Sequence, residues 1–168
     1  MSNRKQTTSV TPRAYRDVMG LFATGVTVVA AQVEGKIHGM TANAITSVSL
    51  DPLLILVCVQ KDAAIAKILQ ETNEFSMSIL NEDQEQLSNF FAGIWPEGAD
   101  PPPFGFEPWH NGGRLQGAMG ALACKIDKFL DGGDHWIITA LVIDLYAENT
   151  PANPLLYYRG QYRRFLEG

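Results

Sequence analysis

The sequence predicts a mainly β domain, a partly closed antiparallel barrel with two or three short helices at its ends. Three observations predict it. Six or seven runs of strand length follow one another without regular βα alternation, which argues against a doubly wound parallel sheet. Glu34-Gly35-Lys36 and Asp131-Gly132-Gly133-Asp134 each separate two extended runs, as hairpin turns do. The chain has 168 residues, 46% hydrophobic and 18% charged, enough for one domain with a real core and some apolar surface for a partner subunit.

Residues 1–10 are polar and are expected to be a flexible terminus, leaving a domain over 11–168. Thr11-Pro12 reads as an N-cap followed by proline at the first helical position. Tyr15, Val18, Met19 and Phe22 then form one apolar helix face, with Gly25 as the stop. Val26 to Val33 and His38 to Asn43 make a hairpin. Leu53 to Val59 is nearly all apolar and reads as a central strand buried on both faces. Ala63 to Glu71 is helical, with Ile65, Ile68 and Leu69 on one side. Phe75 to Leu80 alternates as FSMSIL, a half-buried strand, and Asn81 with Gln84 forms a capping box for the next helix. Residues 96–113 are rich in Pro and Gly, a loop of functional length. Its aromatics Phe104, Phe106 and Trp109, with Trp95, serve either a lid or a dimer contact. Ala121 to Leu130 and His135 to Tyr146 form a second hairpin, and Pro154 to Leu166 a final strand.

The formal charge of −5 shows no basic surplus for nucleic acid. The N-terminus MSNRKQTTSVTP has no apolar segment of signal-peptide length, and no apolar run is long enough to span a membrane, so the cytoplasm is the expected location. Cys58 and Cys124 sit in apolar strand-like runs and read as buried free thiols, and no Cys/His pair has metal-ligand spacing. Nucleophile-elbow, HExxH, Walker and GxGxxG motifs are missing, and His38, His110 and His135 are scattered. A chain without side-chain-driven chemistry is compatible with a cofactor enzyme, in which the protein supplies a slot, orientation and electrostatics. Residues 39–52, GMTANAITSVSLDP, combine small residues that let a flat ring approach with hydroxyl and amide groups that can bind its heteroatoms or a phosphate. A polar strand and turn ended by Asp51-Pro52 is the plainer alternative.

The run GMTANAITSVSLDPLLILVCVQK resembles the flavin-binding signature of the flavin reductase-like, FMN-binding split-barrel family, which includes reductase components of two-component flavin monooxygenases. FATGVTVVAA, FSMSILNEDQEQLSNFFAG, LACKID with DGGDHWIITALVIDL, and PLLYYRGQYRRF resemble further family segments, in order over most of the chain. The resemblance implies a six-stranded antiparallel split β-barrel of Greek-key type, a homodimer, bound FMN or FAD, and NADH or NADPH as hydride donor. It implies that Thr41, Ala42 and Asn43 line the isoalloxazine and ribityl chain, and that Ser47, Val48 and Ser49 contact the flavin. Cys58, Gln60 and Lys61 would border the ribityl-phosphate path, with Lys61 as phosphate cation. Asn81 would add donors at a helix N-terminus, and Phe91 would touch the flavin or its adenine extension. Tyr157, Tyr158 and Arg159 could approach the flavin from the closing strand, with an aromatic strand end packed in the core as the plainer alternative. Gly133-Asp134-His135 matches the family's GDH motif, whose histidine places the nicotinamide. His135 is therefore the expected catalytic residue. Ala44 stands where many members carry serine, which removes one hydroxyl contact. The implied activity is an NAD(P)H-dependent flavin reductase supplying reduced flavin to a monooxygenase. Reduction of another acceptor such as a corrinoid, a non-enzymatic flavin- or haem-binding module, and a purely structural dimeric barrel are the alternatives.

Overall fold

The computed structural model describes residues 9–150 and 152–165. In chain order the elements are α1 (Pro12–Met19), β1 (Thr24–Gly25), β2 (Thr27–Val33), β3 (Lys36–Ala42), β4 (Ile45–Leu50), β5 (Leu53–Gln60), α2 (Ala64–Thr72), β6 (Glu74–Ile79) and α3 (Glu85–Phe91). They continue with β7 (Phe106–Glu107), β8 (Arg114–Leu115), β9 (Gly120–Gly132), β10 (His135–Ala147), β11 (Leu156–Tyr158) and β12 (Gln161–Arg163). Residues 1–8 of the expected flexible terminus, and Leu166 of the expected last strand, lie outside the described residues.

Seven strands form one sheet in the order β3-β2-β6-β9-β10-β5-β4. Every neighbouring pair is antiparallel. The two edge strands, β3 and β4, are consecutive in the chain and are separated only by Asn43 and Ala44. The sheet therefore curls until its edges meet at this corner, where the Cys58 N–H donates to the Ala44 carbonyl at 3.0 Å. The mainly β split barrel expected from the sequence is present, with seven strands in the main sheet instead of six. β1, β11 and β12 form a separate three-stranded sheet. One core cluster inside the barrel contains Val29, Val57, Leu69, Phe75 and Ile138; a second, around Val26, Leu80 and Leu155, lies beneath the closing strands.

Helix α1 starts as predicted: Pro12 opens it, and the Thr11 Oγ1 accepts from the Ala14 N–H at 3.2 Å. It ends at Gly20, not at Gly25. The Gly20 N–H donates back to the Arg16 carbonyl, and the Gly20 carbonyl accepts from the Arg159 N–H, both at 2.8 Å. The backbone is thus handed to the closing hairpin one turn earlier than its apolar pattern suggests. That apolar face is uncovered, with Tyr15 62%, Val18 66% and Phe22 71% exposed. The β2–β3 turn is as predicted, with Glu34 at φ 49° and Gly35 at φ 77°, the two positive dihedrals that a tight hairpin needs.

Three expectations are corrected by packing. Strand β5 buries only Ile55, Val57 and Val59 in the core; Leu54, Leu56 and Cys58 point to the other face and stay partly exposed. The run is apolar on both faces, yet no element of this chain fully covers the second. Strand β6 is buried on both faces, because the segment after residue 110 lies over its serine side. There the buried Ser78 Oγ accepts from the Leu115 N–H at 3.1 Å. The last segment is not one strand but a hairpin, β11–β12, turning at Arg159 (φ 52°) and Gly160 (φ 73°). The capping box forms only in its return half: the Asn81 N–H donates to the Gln84 Oε1 at 3.1 Å, while the Asn81 Oδ1 accepts from the Asp83 N–H. A turn therefore precedes α3, which starts at Glu85.

Candidate functional site

The corner between β3 and β4 opens into two adjoining clefts. One, of about 580 Å³, is walled by Asn43, Ala44, Thr46, Leu56 and Cys58 on the sheet side. Tyr15, Arg16, Met19 and Phe22 of the α1 region wall it opposite, with Tyr157 and Arg159 of the closing hairpin. The second, of about 690 Å³, takes in Thr41, Glu85, Asn89, Tyr162 and Arg163. Asn43, Tyr157 and Gly160 line both, so the two clefts share a boundary.

Local chemistry fixes this corner. The Thr41 Oγ1 donates to the Ser88 carbonyl of α3 at 2.7 Å, and Ser88 in turn shares a hydrogen bond with the Tyr162 hydroxyl at 2.8 Å. The Thr27 Oγ1 donates to the carbonyl of buried Ala42 at 2.7 Å. The Asn43 Nδ2 donates to the Thr24 Oγ1 at 3.2 Å, and its side-chain oxygen accepts from no protein donor among the described residues. Ala44 presents only a methyl group to the cleft it lines. On β4, a bulge between Ser47 and Ser49 interrupts the ladder at Val48, which is half exposed. The Ser49 Oγ accepts from the Asp51 N–H and so shapes the turn into β5, which contains a cis Asp51-Pro52 peptide. Ser47, Val48 and Ser49 line neither cleft within the single chain.

The residues of the GDH match gather at the far end of β5 and β10. His135 pairs with Gln60, and Ile137 with Cys58. Directly opposed residues share a face and alternate residues repeat it, so His135, Gln60, Cys58 and Leu56 belong to the same face of the sheet, the one that opens on the cleft. The Asp134 carboxylate accepts from the His135 Nδ1 at 2.7 Å, and this bond holds the Asp134 carboxyl below its ordinary pKa. The Lys61 N–H donates to the Asp134 carbonyl at 3.0 Å. The Lys61 ammonium lies 2.5 Å from Asp131, whose carboxylate also accepts from the Gly133 N–H. The lysine hydrogen bond, then the glycine N–H, lower the Asp131 pKa. Lys61 is thus engaged as a clasp on the turn.

Other expected residues fall elsewhere. Asn81 lies in a different cleft, with its Nδ2 donating to the Gly117 carbonyl at 2.7 Å. Phe91 packs in an aromatic cluster with Phe90, Phe104 and Phe106, against β3 at Gly39, where a Cβ would come within 2.6 Å of its ring. Trp109 and His110 are tied to β10, where both ring nitrogens reach the Asp144 carboxylate at 3.1 and 2.8 Å. Tyr158 lines neither cleft, because strand alternation turns it away from Tyr157. Burial raises the pKa of the Cys58 thiol and pushes that of fully buried Cys124 to about 12. The α1 residues facing the cleft were not singled out as ligands from sequence; the uncommitted apolar face of α1 was the available signal.

A flat heteroaromatic ring fits the first cleft: the volume suffices, the walls are mostly apolar or aromatic, and amide and hydroxyl groups stand at its edge. Residues 19–166 match the flavin reductase like domain, and the chain belongs to that family. It is 37% identical, over 91% of its own length and 96% of the relative's, to the reductase component of 4-hydroxyphenylacetate 3-monooxygenase from Thermus thermophilus. Identity is 40% to an NADH-dependent flavin reductase of Rhodococcus sp, covering 92% of this chain and 86% of that one. Among solved structures, the flavin reductase PheA2 in its native state superposes with a TM-score of 0.88 at 34% identity, over 94% of this chain and all of that one. The Streptomyces globisporus NADH:FAD oxidoreductase SgcE6, in complex with NAD and FAD fragments, gives 0.83 at 34% identity, over 95% and 98%.

Proposed function

We propose that this protein is an NADH-dependent flavin reductase that delivers reduced flavin, FMN or FAD, to a partner monooxygenase. The observation that carries the reading is the family match over residues 19–166, which includes every residue of the β3–β4 corner and of the GDH turn. The names of the relatives support NADH over NADPH and a monooxygenase as the recipient.

A flavin bound in the first cleft supplies the hydride-accepting chemistry. Asn43 and Thr46 orient the polar edge of the ring, and Ala44 keeps the slot open. Phe22, Leu56 and Tyr157 exclude water from its faces, which strengthens the polar contacts made there. His135, with its tautomer set by Asp134, holds the nicotinamide on the shared sheet face. No side chain is required as a nucleophile.

The protein works as a homodimer in the cytoplasm. Support for the dimer comes from the uncovered apolar side chains of α1 together with Leu50, Leu53, Ile143 and Leu145, an exposed set that one chain gains nothing by presenting to water. No described helix is long and apolar enough to cross a membrane.

The test is steady-state oxidation of NADH and NADPH with FMN or FAD, for the native chain and His135→Ala. Turnover that needs added flavin, with the KM for NADH raised about tenfold or more in the variant, is expected for a residue that positions the donor. Absence of turnover with every pairing of flavin and nicotinamide, from a folded protein, refutes the reductase reading.

A further inference from the structure

We propose that Lys61 is a positioning residue for His135, acting through the GDH turn from the opposite face of the sheet; the assignment rests on the reductase reading above. The resemblance implied Lys61 as a phosphate cation on the flavin path, but strand alternation puts it elsewhere. Lys61 directly follows Gln60, the last residue of β5. Gln60 pairs with His135 on the cleft face, whereas Val59 pairs with Trp136, and Trp136 with Asp131, on the core face. The Lys61 side chain joins this second row. Its ammonium lies 4.9 Å from the centre of the Trp136 ring and 2.5 Å from the Asp131 carboxylate, and it lines neither cleft.

His135 needs support from outside the turn. The last pair between β10 and β5 is His135 with Gln60, so Gly133 and Asp134 lie beyond the end of β5. The His135 side chain is 41% exposed, and its one side-chain hydrogen bond among the described residues goes to the Asp134 carboxylate, which is 86% exposed. That bond ties the ring to the turn and not to the barrel. Lys61 ties the turn itself: its N–H donates to the Asp134 carbonyl at 3.0 Å, and its ammonium holds Asp131, whose Oδ1 accepts from the Gly133 N–H at 3.0 Å. Both sides of the turn are thereby joined to β5. Trp136 is the anchor beneath, packed edge-on to Phe129 at 6.0 Å and against the barrel core.

The experiment compares Lys61→Met, which keeps the stem and removes the charge, with Lys61→Arg, which restores it, each alone and combined with His135→Ala. Lys61→Met is expected to raise the KM for NADH about fivefold, the sum of an ordinary ion pair and a cation–π contact, with a smaller effect on kcat, and Lys61→Arg to recover most of that loss. In the His135→Ala background Lys61→Met is expected to add less than about twofold, because the residue it positions is gone. Hydrogen exchange of residues 131–136, read by mass spectrometry without flavin or nicotinamide, is expected to quicken about fivefold in Lys61→Met and to slow again in Lys61→Arg. An unchanged KM, or a loss that stays full in the His135→Ala background, overturns the proposal. So does a weakened preference for FMN over riboflavin in Lys61→Met, read by flavin fluorescence, while the KM for NADH holds; that result returns the residue to the flavin phosphate. A folded native chain that oxidises neither nicotinamide refutes the reductase reading. The exchange comparison then decides the clasp alone, and unchanged exchange overturns it.

Discussion

Ser78→Ala tests how the barrel satisfies its interior. Ser78 and Leu115 are each 1% exposed, and the Ser78 Oγ accepts the Leu115 N–H at 3.1 Å. The substitution removes the acceptor and leaves a main-chain donor in a place water does not reach. Orphaning one member of a buried hydrogen bond costs about 1–3 kcal/mol. At roughly 2–4 °C per kcal/mol for a chain of this size, a central loss of about 2 kcal/mol lowers the melting midpoint by about 4–8 °C. Ser76→Ala is the internal control. Ser76 is equally buried, but its hydroxyl only donates to the Ala30 carbonyl at a long 3.4 Å, so its loss costs under about 1 kcal/mol. Urea unfolding followed by tryptophan fluorescence, with unchanged denaturant slopes, measures both. Equal losses for the two serines, or a Ser78→Ala loss below about 0.5 kcal/mol, would refute the reasoning.

Two further outcomes are expected. Gly112 (φ 111°) lies where a Cβ would come within 2.1 Å of the Ala30 carbonyl, whereas a Cβ on Gly35 (φ 77°) meets nothing. Gly35→Ala therefore costs only the conformational penalty of about 1–2 kcal/mol, and Gly112→Ala measurably more, by the same unfolding assay. For the thiols, burial raises both folded pKa values above the unfolded value of about 8.5. The unfolded chain then ionises first, so the thiols' contribution to stability is full below about pH 8.5 and is lost as the pH climbs toward 12. Iodoacetamide labelling at mildly alkaline pH, read by mass spectrometry, should modify Cys58 slowly and Cys124 only on unfolding; equal labelling of both would contradict the burial argument.

What the sequence determined by itself is what neighbouring residues decide. Thr11-Pro12 start a helix because a side-chain acceptor and a preset φ act within one turn, and Glu34-Gly35 reverse the chain because the dihedrals belong to those two residues. The GDH turn and the polar run 39–49 were legible in the same way, as local chemistry with a family resemblance. Tertiary structure alone decided the rest. FSMSIL alternates like a half-solvated strand, but a distant segment covers its serines and turns polar positions into buried, bonded ones. Leu53 to Val59 reads as doubly buried, but one of its faces is a cleft wall. Tyr157 and Tyr158 are indistinguishable by composition until strand pairing turns only the first toward the cleft. The meeting of α1 with the closing hairpin depends on the hydrogen bond from the Arg159 N–H to the Gly20 carbonyl, between segments from opposite ends of the chain. Such contacts are set by how the sheet curls, a property of all its strands together, and no local window of residues encodes it.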